Sequence, residues 1–297
     1  MGLKKFVSAS ILSLSLVFNS YASDVPSKEK VEKALRSIMP RGEVVEVSKT
    51  PIPNIYEVVI NANGRYIPIY IDKSLNYVIS GMIVDLKKRE NITQKRFLKL
   101  QQELEKRKIL ELAKLIGEKK AEKLWKILAN RKFNIVNLPP LPKDVVVEGN
   151  PNGKKVIYVI TDPECPFCKR FNDELKKLIA TDSDIKIVEI FYPLPFHRNA
   201  YQISSAVLCQ TDNTKAKEML NKAFDNQGNS SVISSITRQA CEKGNQIIKK
   251  HKGYAFKVGL TGTPTIVIPL KNNRGLVISG GFSAEKLKEI LNIIYGK

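Results

Sequence analysis

Four consecutive residues, Cys165-Pro166-Phe167-Cys168, hold the most reactive side chains of this 297-residue chain. Two thiols three positions apart can cycle between dithiol and disulfide, supply half of a zinc site, or form a structural bridge. The apolar run 156–160 ahead of them reads as a strand buried on both faces, and Phe171, Leu175, Leu178 and Ile179 behind them recur at helical spacing. The pair therefore opens a helix. Unpaired N–H groups and the dipole at that position favour negative charge, so the thiol of Cys165 is expected to fall from about 8.5 into the range of about 3.5 to 7.5. Cys165 is then the attacking sulfur, and Cys168, one turn deeper, resolves the mixed disulfide. Pro166 suits a first helical turn, where its missing N–H costs nothing, and Phe167 is expected to be exposed toward substrate.

The other readings are weaker. Zinc would need Cys209 and Cys241, which lie far apart in a helical stretch without metal-ligand spacing, so no metal is expected. A purely structural bridge between Cys165 and Cys168 closes too small a loop to restrict much of the unfolded chain. Four cysteines allow three pairings, and the closeness of the first two makes Cys165 with Cys168 and Cys209 with Cys241 the economical choice. His197 could in principle form a hydrolase dyad with Cys165, but a resolving thiol three residues away makes redox chemistry the better use. His251, among lysines, reads as a surface residue. No phosphate loop or carboxylate pair is apparent, and no cofactor is called for. A second motif, Thr261-Gly262-Thr263-Pro264-Thr265, precedes the run Ile266-Val267-Ile268. A proline opening a strand after a turn is a candidate cis peptide, and the Thr263 main chain there could pair with an extended substrate.

Several elements must position these groups. Lys4 and Lys5, the apolar run 6–18 and Ser20-Tyr21-Ala22 predict a cleavable secretory signal over 1–22, hence an exported protein in an oxidising compartment. Residues 23–86 read as one helix followed by period-two, β-branched strands, a small antiparallel sheet that would gain stability by pairing with a second copy. Residues 87–142 read as a helical linker broken near Gly117, with Leu110, Ala113, Ala121, Leu124 and Leu128 on one stripe. Between Lys87 and Lys132 stand 16 basic and 6 acidic residues, half of the net charge of +20. Such a run is more often a solvated face than a groove, and export removes most of the case for nucleic acid. Residues 143–297 alternate strand and helix with a helical excursion at about 199–256, so the fold class is a small α+β domain, a helical linker and an α/β domain with an inserted lobe.

A Cys-x-x-Cys about a hundred residues ahead of Thr263-Pro264 in one α/β domain is the thioredoxin arrangement. Together with the N-terminal helix and sheet ending in Ile79-Ser80-Gly81-Met82-Ile83-Val84-Asp85, it makes the chain resemble the DsbC/DsbG family of periplasmic protein disulfide isomerases. The resemblance implies catalytic Cys165 and Cys168, substrate contacts at Thr263, Pro264, Pro166 and Phe167, and a structural bridge from Cys209 to Cys241. It further implies a V-shaped homodimer paired through the N-terminal domains, misfolded disulfide-containing exported proteins as clients, chaperone-like holding in an apolar cleft, and a membrane thiol reductant of the DsbD type. A monomeric DsbA-like oxidase and a periplasmic chaperone or binding module with incidental cysteines are the rivals. Two features depart from the family: the linker is longer, and Val159 stands where thioredoxins keep a buried acid, leaving no proton acceptor there for Cys168.

Overall fold

The computed structural model describes residues 25–296 apart from 41, 63 and 64, so the expected signal segment 1–22 lies outside the described residues. The chain divides into two compact units, meeting in sequence at Phe97 and Leu98. In the first, α1 (Lys28–Leu35) is started by the Ser27 side chain, which accepts from the Lys30 N–H. Val31 and Leu35, one turn apart, are its buried face. They pack on an antiparallel sheet of order β1 (Glu43–Lys49), β2 (Ile55–Ala62), β3 (Arg65–Asp72) and β4 (Val78–Ile79). Asp72 shapes the turn between the last two strands by accepting from the N–H groups of Ser74, Asn76 and Tyr77. A short hairpin of β5 (Val84–Asp85) and β6 (Glu90–Asn91) leads into α2 (Ile92–Ile116). The first turns of α2 are fastened to the sheet by Tyr70 with Thr93 and by Arg96, which bridges Glu46 at 2.7 Å and buried Glu57 at 2.8 Å.

The second unit is built on a six-stranded sheet. After α2 and α3 (Glu118–Leu128) come β7 (Phe133–Asn137), β8 (Val146–Gly149), β9 (Lys155–Thr161), α4 (Pro166–Thr181) and β10 (Ile185–Phe191). Four helices follow, α5 (Ala200–Cys209), α6 (Asn213–Asp225), α7 (Ser230–Thr237) and α8 (Glu242–Lys257), then β11 (Thr265–Pro269), β12 (Arg274–Ser279) and α9 (Ala284–Tyr295). The sheet order is β7-β12-β11-β9-β10-β8, with β9 and β10 parallel and every other pairing antiparallel. α3, α4 and α9 share the apolar core of one face, while Tyr254, Ala255 and Val258 at the end of α8 pack with Ile160, Ile190 and Val267 on the other. The mixed α and β architecture expected from the sequence is the one found.

The stretch expected as a linker is more integrated than its composition suggests. Gly117, at φ +89°, ends α2 and starts α3. Ala121, Leu124 and Leu128 of α3 are buried in the sheet core, and β7 pairs with β12 as an edge strand. The stripe drawn through Leu110 fails: Leu110 is exposed, whereas Leu112 and Leu115 are buried. The break at Gly117 resets the helical phase, so a stripe cannot be carried across it.

Candidate functional site

Central strand β9 carries the chain to the end of the sheet, where Asp162 to Glu164 turn it into α4. Cys165 is the N-cap of α4, Pro166 occupies the first turn, and both cysteines are unbridged and buried. From the neighbouring antiparallel strand, β11, comes the loop holding the cis Thr263–Pro264 bond. Cys165 Sγ lies 3.6 Å from the Thr263 carbonyl oxygen. Two segments 98 residues apart in sequence, the cysteine pair and the proline loop, therefore meet.

Electrostatics separates the two thiols. The Cys165 thiol is pulled down to about 5, first by the hydrogen bond from Cys168, against the opposing cost of burial. The Cys168 N–H, the Thr263 hydroxyl and the Phe167 N–H add to the pull. Burial pushes the Cys168 thiol far above its usual range, and the charge on its neighbour pushes the same way. One sulfur is an anion at neutral pH and the other holds its proton, the division of labour that exchange through a mixed disulfide requires.

Most of what holds the loop lies outside the motif. The buried Asp162 carboxylate accepts from the Glu164 N–H at 2.8 Å and the Leu194 N–H at 2.7 Å, and meets His197 Nδ1 at 2.8 Å. His197 thus anchors the loop after β10 and has Asp162, not a sulfur, as its partner. The Glu164 carboxylate accepts from the N–H groups of Asn199 and Ala200 at 2.6 and 2.7 Å, capping α5. Gln227 Nε2 donates to the carbonyls of Pro163 and Cys165 at 2.9 and 3.2 Å. Asp162, Glu164 and Gln227 carry no local signal of these roles, because apart from Glu164 beside Asp162 their partners lie 32 to 64 residues away.

Phe167 is exposed, with the Arg170 guanidinium 4.7 Å above its ring. Val159 lies in the apolar core. Beside it in register on β10 stands Glu189, whose carboxyl is raised by burial first and by Glu148 second; Glu148 is raised by burial too, with Lys217 and Lys176 pulling it back. His251 corrects the surface reading. It is fully buried, its Nδ1 accepts from the Phe191 N–H at 3.0 Å, and Nε2 therefore carries the proton that is donated to the Asp144 carbonyl at 2.7 Å. The lysines around it in sequence face outward, while His251 falls on the buried stripe of α8 with Ile247, Ile248 and Tyr254.

Cys209 at the end of α5 is bridged to Cys241 at the N-cap of α8, with Cα atoms 6.0 Å apart. The helices approach closely there: a Cβ on Gly244 would stand 2.3 Å from the Ser205 carbonyl. Replacing both Cys209 and Cys241 by Ala is expected to lower stability by about 3 kcal/mol, since the bridge closes a long loop. The urea unfolding midpoint measures this, and an unchanged midpoint would show that helix packing alone suffices.

A strand, a Cys-x-x-Cys at a helix start and a cis-proline on the adjacent antiparallel strand define a thioredoxin-like dithiol domain. A thioredoxin-like domain profile matches residues 143–294, and a profile for the disulfide bond isomerase protein N-terminal domain matches residues 22–94. The chain belongs to the thioredoxin-like family, and ahead of that domain it carries the N-terminal domain of the disulfide bond isomerase proteins. The thiol:disulfide interchange protein DsbC of Salmonella typhimurium is 26% identical over 161 residues, 54% of this chain and 60% of that protein. The protein of the same name from Escherichia coli K12 is 24% identical, over 54% of this chain and 61% of its own. The chain thus spans about three-fifths of the length of these curated relatives. Among solved structures, Pseudomonas aeruginosa DsbA2 aligns with a TM-score of 0.44 at 22% identity, covering 52% of this chain and 96% of that one. The catalytic domain of Proteus mirabilis ScsC aligns at 0.41 and 21%, covering 57% and 96%.

Proposed function

We propose that this chain is a dimeric thiol:disulfide isomerase of exported proteins. Cys165 attacks a wrong substrate disulfide, a mixed disulfide forms, and either a substrate thiol or Cys168 releases it. The observation that carries this reading is the Cys165 thiol, lowered to about 5 and set 3.6 Å from the Thr263 carbonyl beside the resolving Cys168. An extended substrate adds alongside the Thr263 main chain, which precedes the paired part of β11, with Pro264, Pro166 and Phe167 as its contacts.

Pairing of two copies through the first unit is supported by β4, an edge of its sheet, and by Tyr77, Val78, Ile79 and Met82, all exposed around that edge. We infer a periplasmic location and a membrane reductant of the DsbD type from the resemblance to the DsbC/DsbG family, which the matches to DsbC proteins support. The reductant keeps Cys165 and Cys168 as thiols, which reshuffling requires. In the test, reduced protein is mixed with a scrambled multi-disulfide enzyme and its mass in solution is measured. The expected result is a mass of two chains and recovery of client activity, lost in Cys165→Ser while any holding of unfolded client persists. A monomer that oxidises reduced clients but cannot repair scrambled ones would establish an oxidase instead, and full repair by Cys165→Ser would make the cysteines incidental.

A further inference from the structure

A groove of about 620 Å³ opens beside the attacking sulfur, lined by Thr263 and Pro264, by Phe167, Arg170 and Phe171 of α4, and by the loop from Gly280 to Ser283. That loop is tied to the proline, since the Gly280 N–H donates to the Pro264 carbonyl at 2.9 Å. It also lies flat on Phe171: a Cβ at Gly281 would fall 2.6 Å from the ring. The floor is apolar, but two guanidiniums reach it. Arg131 donates to the Gly281 carbonyl at 3.1 Å and sits 4.3 Å over the Phe282 ring, and Arg170 lies over Phe167. Each guanidinium sits over an aromatic ring and keeps N–H donors to spare. Among the described residues neither forms an ion pair. Glu174, the acidic residue lining the groove, is already engaged, bonding Lys177 at 2.6 Å and the Ala284 N–H at 2.8 Å.

We propose that this groove is a charge-selective subsite: it receives the stretch of a polypeptide disulfide flanking the attacked cysteine and favours stretches whose Asp or Glu carboxylate meets Arg131 and Arg170. Thr263 both borders the groove and faces Cys165, so a segment laid along it delivers the neighbours of its cysteine to the two arginines. In the step served, the Cys165 thiolate bonds to the nearer substrate sulfur as the substrate S–S bond breaks. The farther sulfur leaves as a thiolate, and no outside oxidant or reductant is consumed.

The inference rests on the disulfide-exchange reading, and the test separates the two. Two synthetic peptides, identical but for Glu or Gln next to a single cysteine, are activated as 2-thiopyridyl disulfides, whose leaving group is uncharged. Reduced protein is expected to release thiopyridone about tenfold faster from the Glu peptide at low ionic strength, equivalent to one well-placed charge pair. The preference should shrink toward one at about 1 M salt. In the Arg131→Gln, Arg170→Gln double variant the ratio of the two rates should be near one. Because the ratio is read within one protein, overall loss of rate does not imitate the effect, and the salt series reads it without any substitution. Equal rates in the unaltered protein, or a ratio that survives high salt or the double substitution, would overturn the subsite while leaving disulfide exchange standing. Release from neither peptide would overturn both.

Discussion

Reduced protein treated with iodoacetamide is expected to show one fast-reacting thiol, Cys165, whose rate titrates with a midpoint near pH 5. At pH 6 such a thiol is about nine-tenths ionised, against about one-thousandth for a thiol at 9.0. Lower basicity gives back part of that gain. With a Brønsted slope of about 0.45, four units cost a factor of about 60, so the net advantage at pH 6 is about 15-fold. The midpoint is the sharper readout. Cys168→Ala removes the largest cause, the hydrogen bond from its thiol, and should move the midpoint upward. Cys168 itself stays protonated in its buried place and should react little across the range. A midpoint between 8 and 9, or one indifferent to Cys168→Ala, would remove the physical basis of the attacking sulfur.

Acid should weaken the fold through His251. Its ring is held neutral in the native state at about 4, chiefly by burial, against 6.5 in the unfolded chain. Above pH 6.5 neither state binds the proton and native stability is complete. As pH falls from 6.5 toward 4, the unfolded chain takes up a proton that the native state refuses, so stability falls. Below 4 the loss is full, about 3 kcal/mol from two and a half units of displacement. Between pH 4 and pH 7 the raised carboxyls of Glu189 and Glu148 slope the opposite way, so the contribution is read from urea midpoints as the difference from His251→Gln: the variant should lose less stability as pH falls, while being less stable at neutral pH, where both hydrogen bonds of the ring are lost. A His251→Gln protein with the unaltered slope would place the acid sensitivity elsewhere.

The cysteine pair and the proline were legible in the sequence because each sits at a junction that leaves a local trace: an apolar strand, then a helical stripe, and a Gly-bearing turn before a β-branched run. The supports of the site left no such trace. Asp162 bonds Leu194 and His197, Glu164 caps α5, and Gln227, between α6 and α7, reaches the Pro163 carbonyl, all contacts made only once the chain has folded. Neighbours in sequence misled at His251, since a helix turns one residue in a basic run toward the core. At residues 118–137 the stripe of Ala121, Leu124 and Leu128 was legible, but its burial in the sheet core and the pairing of β7 with β12 were not, because both partners lie far along the chain.

The pairing of β7 with β12 bears on how the catalytic half can be cut from the whole. The thioredoxin-like match starts at residue 143, yet a fragment trimmed there would discard an edge strand and bare the flank of β12, along with the side of the core that α3 seals. The compact unit that holds this sheet begins at Leu98, and Leu112 of α2 already belongs to its core.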